Sequence, residues 1–328
     1  MSKRLITLAA AVIGLVLFAW AVREAGPAEI ADGIRRIGWG LVPILAIGGV
    51  RFLLRAESWR LCMPRGVRMP FGRAFSAFLA GDAIGNVTPF GPVASEPTKI
   101  FLIRHRLATA GAVSSLAIDN VVYAASVMTI TAIGAVVMLA TVELPFALRD
   151  AALFTLIGLV VAAALGLRVM RGFWTGEKGD RPRWRERLAA VRESIVAFSA
   201  GHPARVWRVY ALHMGFHALT VLETYLALRW LTGDSGATLA QSVTFAALNR
   251  VVQVAFKFVP FLVGVDEASS GAFAPLLGVD LGSAVALAVV RKIRVLFWTG
   301  AGLLLTAAHP ARAAQATGRP GTEPVHRT

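Results

Sequence analysis

The chain has 328 residues, 56% hydrophobic and only 16% charged, with a mean hydropathy of +0.64. Soluble domains carry about a quarter charged residues, so this composition excludes a soluble enzyme and predicts an integral membrane protein with several helical spans. The formal net charge of +15 would suggest nucleic acid in a soluble protein, but here Lys and Arg lie between apolar runs. Membrane topology and anionic lipid headgroups at the cytoplasmic face account for them, and no nucleic-acid partner is expected. The single cysteine, Cys62, excludes an internal disulfide and a cysteine-based metal cluster.

In chain order, residues 5–22 form an apolar run behind Lys3 and Arg4. A cleaved signal peptide has a shorter apolar core, so this run is read as a retained first span. Residues 27–37 place Ile30, Ile34 and Ile37 on one face, as in an interfacial amphipathic helix. A second span is expected over residues 39–54, with Arg51 and Arg55 near its end reaching towards the headgroups. The loop 55–73 carries Arg60, Arg65, Arg68 and Arg73 and is cytoplasmic by the positive-inside rule.

Further spans are expected over residues 108–139, 151–167, 206–231 and 282–308. Residues 168–208 are strongly basic, hence cytoplasmic. Within them Trp184, Leu188, Val191, Ile195 and Phe198 recur at helical spacing, which reads as a helix on the inner membrane face with Trp174 and Trp184 as anchors. The tail 309–328 is expected to be disordered and cytoplasmic. Both termini then lie on the cytoplasmic side of a bacterial cytoplasmic (inner) membrane.

Two stretches break this pattern. In residues 86–106, Pro89, Gly91, Pro92 and Pro97 exclude a straight helix. The flanking segments 74–88 and 92–103 are each too short to cross, so they read as a re-entrant hairpin opening to the cytoplasm. Residues 257–278 repeat the arrangement around Pro260 and Gly264, flanked by segments 241–258 and 261–277. Pro89 and Pro260 are separated by 171 residues, and so are Glu96 and Glu267. The same offset relates Gly111 to Gly282 and Leu116-Ala117 to Leu287-Ala288.

The repeat halves are thus residues 74–140 and 241–308 of one transmembrane domain over residues 1–308. Three spans between the hairpins, an odd number, turn the second half over relative to the first. The expected fold is an all-α, polytopic helical membrane protein with inverted repeats and two re-entrant helical hairpins. That is the architecture of secondary transporters, in which broken helices meet near the midplane.

Charges placed at such breaks are the candidate binding residues. A carboxylate at the centre of a span costs roughly 2.5–3.5 kcal/mol by insertion scales, so Glu96 and Glu267 are paired or face water. Binding of a cationic headgroup or a coupling proton stands beside a structural pairing or capping role. Lys99, Arg104 and Arg106 could receive a lipid phosphate, though topology alone explains the last two. Arg291, Lys292 and Arg294 fall within the last span, and at least one of them is expected to meet Asp119, Asp266 or Glu267. For these, as for Arg250 and Lys257, a salt bridge and a phosphate clamp remain alternatives.

His213 and His217 are an i, i+4 pair, a spacing that can hold zinc. Without a carboxylate after His213, interhelical hydrogen bonding or a proton relay is the better reading. No P-loop, GxSxG or strand-borne GxGxxG occurs in the sequence, and neither cofactor nor metal is expected.

The boxes Pro89-Phe90-Gly91-Pro92 to Glu96 and Lys99, and Pro260-Phe261 to Gly264 and Glu267, resemble the membrane domain of lysylphosphatidylglycerol synthases, the flippase-like family. Members carry a Pro…Gly-Glu…Arg box and a Pro…Gly-x-x-Glu box. The second box matches; in the first, Ser95 stands where Gly is usual and Lys99 near the usual Arg. The resemblance spans about residues 5–308. The family's synthases append a cytosolic aminoacyl-transferase domain, and this chain ends about 20 residues after its last expected span. The resemblance therefore implies lipid translocation or handling rather than lysyl transfer, and the length suits a stand-alone subgroup associated with hopanoid biosynthesis. An integral membrane enzyme or an accessory protein of lipid biosynthesis is the alternative. Docking of lipid-biosynthesis proteins and homo-oligomerisation stay open.

Overall fold

Apolar runs bounded by Gly, Pro and capping side chains fold into ten helices in the computed structural model, which describes residues 28, 35–88, 91–171, 183–233, 237–257, 259–262 and 264–317. The expected first span over residues 5–22, most of the interfacial helix, Pro89, Trp174 and the tail from residue 318 lie outside the described residues. A 3-10 turn, Gly38–Gly40, leads into Leu41–Leu61 (α1). Phe71–Val87 (α2) and Gly91–Ile103 (α3) form the first hairpin. Thr109–Thr141 (α4) and Phe146–Arg171 (α5) are long, and Arg183–Gly201 (α6) precedes Pro203–Thr232 (α7), whose first residue is the Pro tolerated there.

Leu239–Ala255 (α8) starts with a capping box between Thr238 and Gln241, which satisfies two otherwise orphaned N–H groups. The 3-10 turn Pro260–Leu262 and Val265–Phe273 (α9) complete the second hairpin, and a last 3-10 turn, Pro275–Leu277, leads to Leu281–Thr317 (α10). The single helix expected over residues 261–277 is therefore broken. Gly264 and Gly278 adopt φ of 76° and 62°, and Pro275 cannot continue α9.

Three stretches among the described residues are long and apolar enough to cross a bilayer: Arg35–Leu61, Thr109–Thr141 and Phe146–Val169. The helices α7 and α10 have 30 and 37 residues, yet they fall short on apolarity because ionisable groups sit in their middles. These are His213, His217 and Glu223 on α7, and Arg291, Lys292 and Arg294 on α10.

The order long, medium, short, long is read twice, as α1–α4 and as α7–α10. Equivalent helices run in opposite directions. Along α1 and α7, Gly40 lies against Trp230, Arg51 meets Glu223 and Arg55 meets His213, an antiparallel pairing. Along α7 and α10, Glu223 meets Arg294 while Ser283 donates to the Leu231 carbonyl, again antiparallel. Along α4 and α7, Asp119 meets His213 and Ser126 meets His217, so these two run parallel. It follows that α4 and α10 are antiparallel, and the two halves are inverted relative to each other. The packing is exchanged accordingly: α2 lies on α10, and α8 lies on α4.

Each hairpin has both ends at one end of the bundle. Met69 and Ala74 before and in α2, and Ile103 and Leu107 after α3, are buried together with Trp59 and Met63 at the end of α1. Leu277 and Val279 join Ile37 and Ile44 near the start of α1 and Leu228 near the end of α7. The hairpins therefore start from opposite ends and point inwards. Outside this bundle, α5 packs on α4, and α6 buries Ile195 and Phe198 against Cys62, Ile118 and Val209.

Candidate functional site

The two hairpin tips meet at one cavity of about 730 Å³. Thr88 and Gly91 reach it from the first hairpin, and Pro260, Phe261 and Leu262 from the second. Phe261 and Leu262 hold φ of 53° and 51°, left-handed conformations costly for residues with a Cβ. In the first hairpin the backbones come close: a Cβ on Gly91 would lie 2.9 Å from the Gly85 carbonyl oxygen, and one on Gly81 3.0 Å from that of Ser95. The Ser95 side chain fits against α2 because Gly85 has no Cβ, which would lie 3.0 Å from that of Ser95.

Of the expected binding residues, Glu96, Lys99, Arg250, Asp266, Arg291 and Arg294 line the cavity. Asp119 and Glu267 do not, and instead hold cations of neighbouring helices. Gly264 is the N-cap of α9, where its N–H donates to Glu267 Oε2 at 2.9 Å. The remaining expected break, Pro92, lies in the first turn of α3, where its missing N–H leaves no helical bond unmade.

The charges are organised in pairs that tie helices together. Glu223 lies 2.7 Å from both Arg51 on α1 and Arg294 on α10. Asp119 lies 3.5 Å from Arg55 and accepts from Ser58. Lys292 pairs with Glu267, and Lys99 lies 3.2 Å from Glu96 and 4.2 Å above the Phe78 ring. Arg291 donates to Asp266 at 2.9 Å and to Ser270 at 2.5 Å.

A hydrogen-bonded chain continues from there. Asn249 donates to Asp266 at 2.6 Å, Gln253 donates to the Asn249 side-chain oxygen at 2.5 Å, and Arg250 donates to Gln253 at 2.9 Å and to the Tyr123 hydroxyl at 3.2 Å. A guanidinium only donates and a carboxylate only accepts, so both amides in the chain have fixed orientations.

The structure corrects the expectation for Arg51 and Arg55. Neither reaches to the headgroups: α1 continues to Leu61, and both side chains are nine-tenths buried in the bundle. They stack on aromatic rings, Arg51 at 4.5 Å from Phe216 and Arg55 at 4.0 Å from Tyr123. Asp82, Asn86, Tyr123 and Glu223 also belong to this polar centre and were not singled out from sequence. The available signal was the same one used for Glu96, an ionisable residue inside an apolar segment.

His213 belongs to the cluster of Arg55, Ser58 and Asp119. Its Nδ1 lies 3.1 Å from an Arg55 nitrogen and must accept, so the hydrogen is on Nε2, which faces both Ser58 at 2.8 Å and Asp119 at 3.1 Å. A nucleophilic relay needs serine and carboxylate on opposite ring nitrogens. Here they share one, so the three residues join helices and do not form a hydrolytic triad. His217 meets Ser126 at 3.1 Å and stacks on Tyr123.

Long apolar helices packed around buried ion pairs among the described residues define a polytopic α-helical membrane protein. The family model of the lysylphosphatidylglycerol synthase TM region matches residues 6–302, and the chain belongs to that family. This makes it a lipid-related membrane protein. No curated protein and no solved structure matches the chain.

Proposed function

We propose that the chain is a membrane lipid translocase that moves a phospholipid, an aminoacylated lipid or another amphipathic lipid between leaflets. Residues 1–308 form one flippase-like domain in the bacterial cytoplasmic membrane, with both termini in the cytoplasm. The first hairpin enters the membrane from the cytoplasm and the second from outside. Their tips shape a headgroup site from which access alternates between the two faces. The observation that carries this reading is the meeting of two oppositely directed hairpins at one charged cavity. Its walls offer a headgroup both cations and carboxylates, while the acyl chains stay beside apolar helix faces.

The test is translocation in vesicles holding the purified protein, with fluorescent phospholipids of several headgroups and an impermeant quencher. Protein-dependent movement of at least one headgroup class is expected, and its loss in Glu96→Gln. Absence of movement for every class would overturn the reading. Full cellular function of a Glu96→Gln, Glu267→Gln double variant would point instead to an accessory role in lipid biosynthesis.

A further inference from the structure

We infer that the cavity carries a phosphate subsite built by the second half alone, from Arg250 and Lys257 on the surface of the cavity and Arg291 behind them. The inference rests on the translocase reading only in calling the ligand a transported lipid. Five Arg and three Lys line the cavity, against Asp82, Glu96 and Asp266. Six of these cations have a carboxylate partner within ion-pair distance. Among the described residues, Arg250 and Lys257 have none. Arg250 lies in the last turns of α8 and Lys257 follows its cap, Phe256; both line the cavity.

Arg250 is aimed rather than loose. Tyr123 and Gln253 each take a hydrogen bond from Nη1, which fixes the guanidinium and leaves its other N–H groups for an acceptor in the cavity. Arg291 adds a second, independent sign. It is 6% exposed, lines the cavity, and its Nε and Nη1 are buried without a hydrogen-bond partner among the described residues. Buried guanidinium donors are ordinarily satisfied, so an anion with several acceptor oxygens is the missing complement.

The inverted repeat shows that this subsite is one-sided. Matching the two 17-residue helices α2 and α8 end to end places Asp82 opposite Arg250, and the 171-residue offset that holds beyond the tips places Asn120 opposite Arg291. The first half thus offers no cation at the equivalent positions. It presents Asp82 and the buried, unpartnered Oε2 of Glu96 as acceptors. A headgroup would therefore lie with its phosphodiester against the second hairpin and a hydrogen-bond-donating end against the first. The shared chemistry is a phosphate, and its source is either a lipid headgroup or free phosphate.

Binding distinguishes these sources without any transport. The full-length protein in micelles is titrated with short-chain phosphatidylglycerol, diacylglycerol of the same chain length and inorganic phosphate, and followed by tryptophan fluorescence, since Trp298 lines the cavity. The expected result is saturable binding of phosphatidylglycerol that weakens at least tenfold in an Arg250→Gln, Lys257→Gln variant. Diacylglycerol should be indifferent to the change, Arg250→Lys should bind nearly as wild type, and Arg104→Gln should not differ. Circular dichroism on each variant separates lost binding from lost fold. Equal affinity of the double variant for phosphatidylglycerol would overturn the subsite, and inorganic phosphate binding as tightly as the lipid would overturn its assignment to a headgroup. Arg250-dependent lipid binding with no translocation in vesicles would instead sink the translocase reading and leave the subsite standing.

Discussion

Arg51 on α1 donates a 2.7 Å hydrogen bond to Glu223 on α7, joining the two antiparallel equivalent helices of the inverted halves at their middle. The same carboxylate lies 2.7 Å from Arg294, so one anion holds three helices. Breaking a buried pair leaves an uncompensated charge and costs about 3–5 kcal/mol. We predict a loss of that size in Glu223→Gln, read as unfolding free energy in reversible denaturant titration. Adding Arg51→Met should recover part of the loss, because one stranded cation is removed. Unchanged stability in Glu223→Gln would mean that water screens the cluster.

The close contact of α10 with α2 depends on Gly302. A Cβ there would lie 2.6 Å from the Leu79 carbonyl oxygen, a backbone atom that cannot turn aside. At the exchanged contact, a Cβ on Gly134 would overlap the Ala247 methyl group. Overpacking of this kind costs typically about 1–3 kcal/mol. Gly302→Ala and Gly134→Ala should each lower the thermal midpoint, whereas Gly158→Ala, with open space around it, should not. Equal midpoints for all three would refute the tight exchange of hairpins and long helices.

What the sequence revealed and what it hid follow from the range of the interactions. Proline and glycine act locally, so the breaks near Pro92, Pro260 and Gly264 and the repeat offset could be read directly. The broken second arm carries local signals too, Gly264 and Pro275, which reading 261–277 as one arm leaves unused. Arg51 and Arg55 were misplaced because snorkelling and burial begin from the same pattern, a cation near the end of an apolar run. Burial won through partners 158 and more residues away, His213 and Glu223, which no periodicity in α1 announces. That at least one of Arg291, Lys292 and Arg294 meets Asp119, Asp266 or Glu267 was legible, because charges inside a span require opposite charges nearby, whereas which cation takes which carboxylate, and Glu223 as the partner of Arg294, was not.

Asp280 caps α10 outside the bundle: its carboxylate accepts the Ser283 N–H at 2.8 Å. Hydrogen bonding from Ser283 holds this carboxyl below its usual value. A lowered folded value means that the stabilisation is complete above the unfolded value, about pH 4, and fades as pH falls through the folded one. Asp280→Ala should therefore cost about 1 kcal/mol at pH 7, as lost caps do, and progressively less as pH is lowered towards 3. A pH-independent difference between the two proteins would show that the cap is not acting through its charge.

The proposed inversion across the membrane is testable at the outer ends of the hairpins. Gly72 and Arg104 bracket the first hairpin at the end of the bundle shared with Trp59, and Leu239 and Leu281 bracket the second at the other end. Gly72 has open space around it, and Leu239 and Leu281 are exposed, so cysteines there should not disturb packing. Cys62 is buried and is replaced by serine to give a silent background. In intact cells and inverted vesicles, an impermeant thiol reagent should label Gly72→Cys and Arg104→Cys only from the cytoplasmic side. Leu239→Cys and Leu281→Cys should be labelled only from the opposite side. That pattern requires both hairpins to return to the face they started from. Gly72→Cys and Arg104→Cys labelled from different faces would mean that the first hairpin crosses fully, and alternating access between opposed hairpin tips would lose its geometric basis.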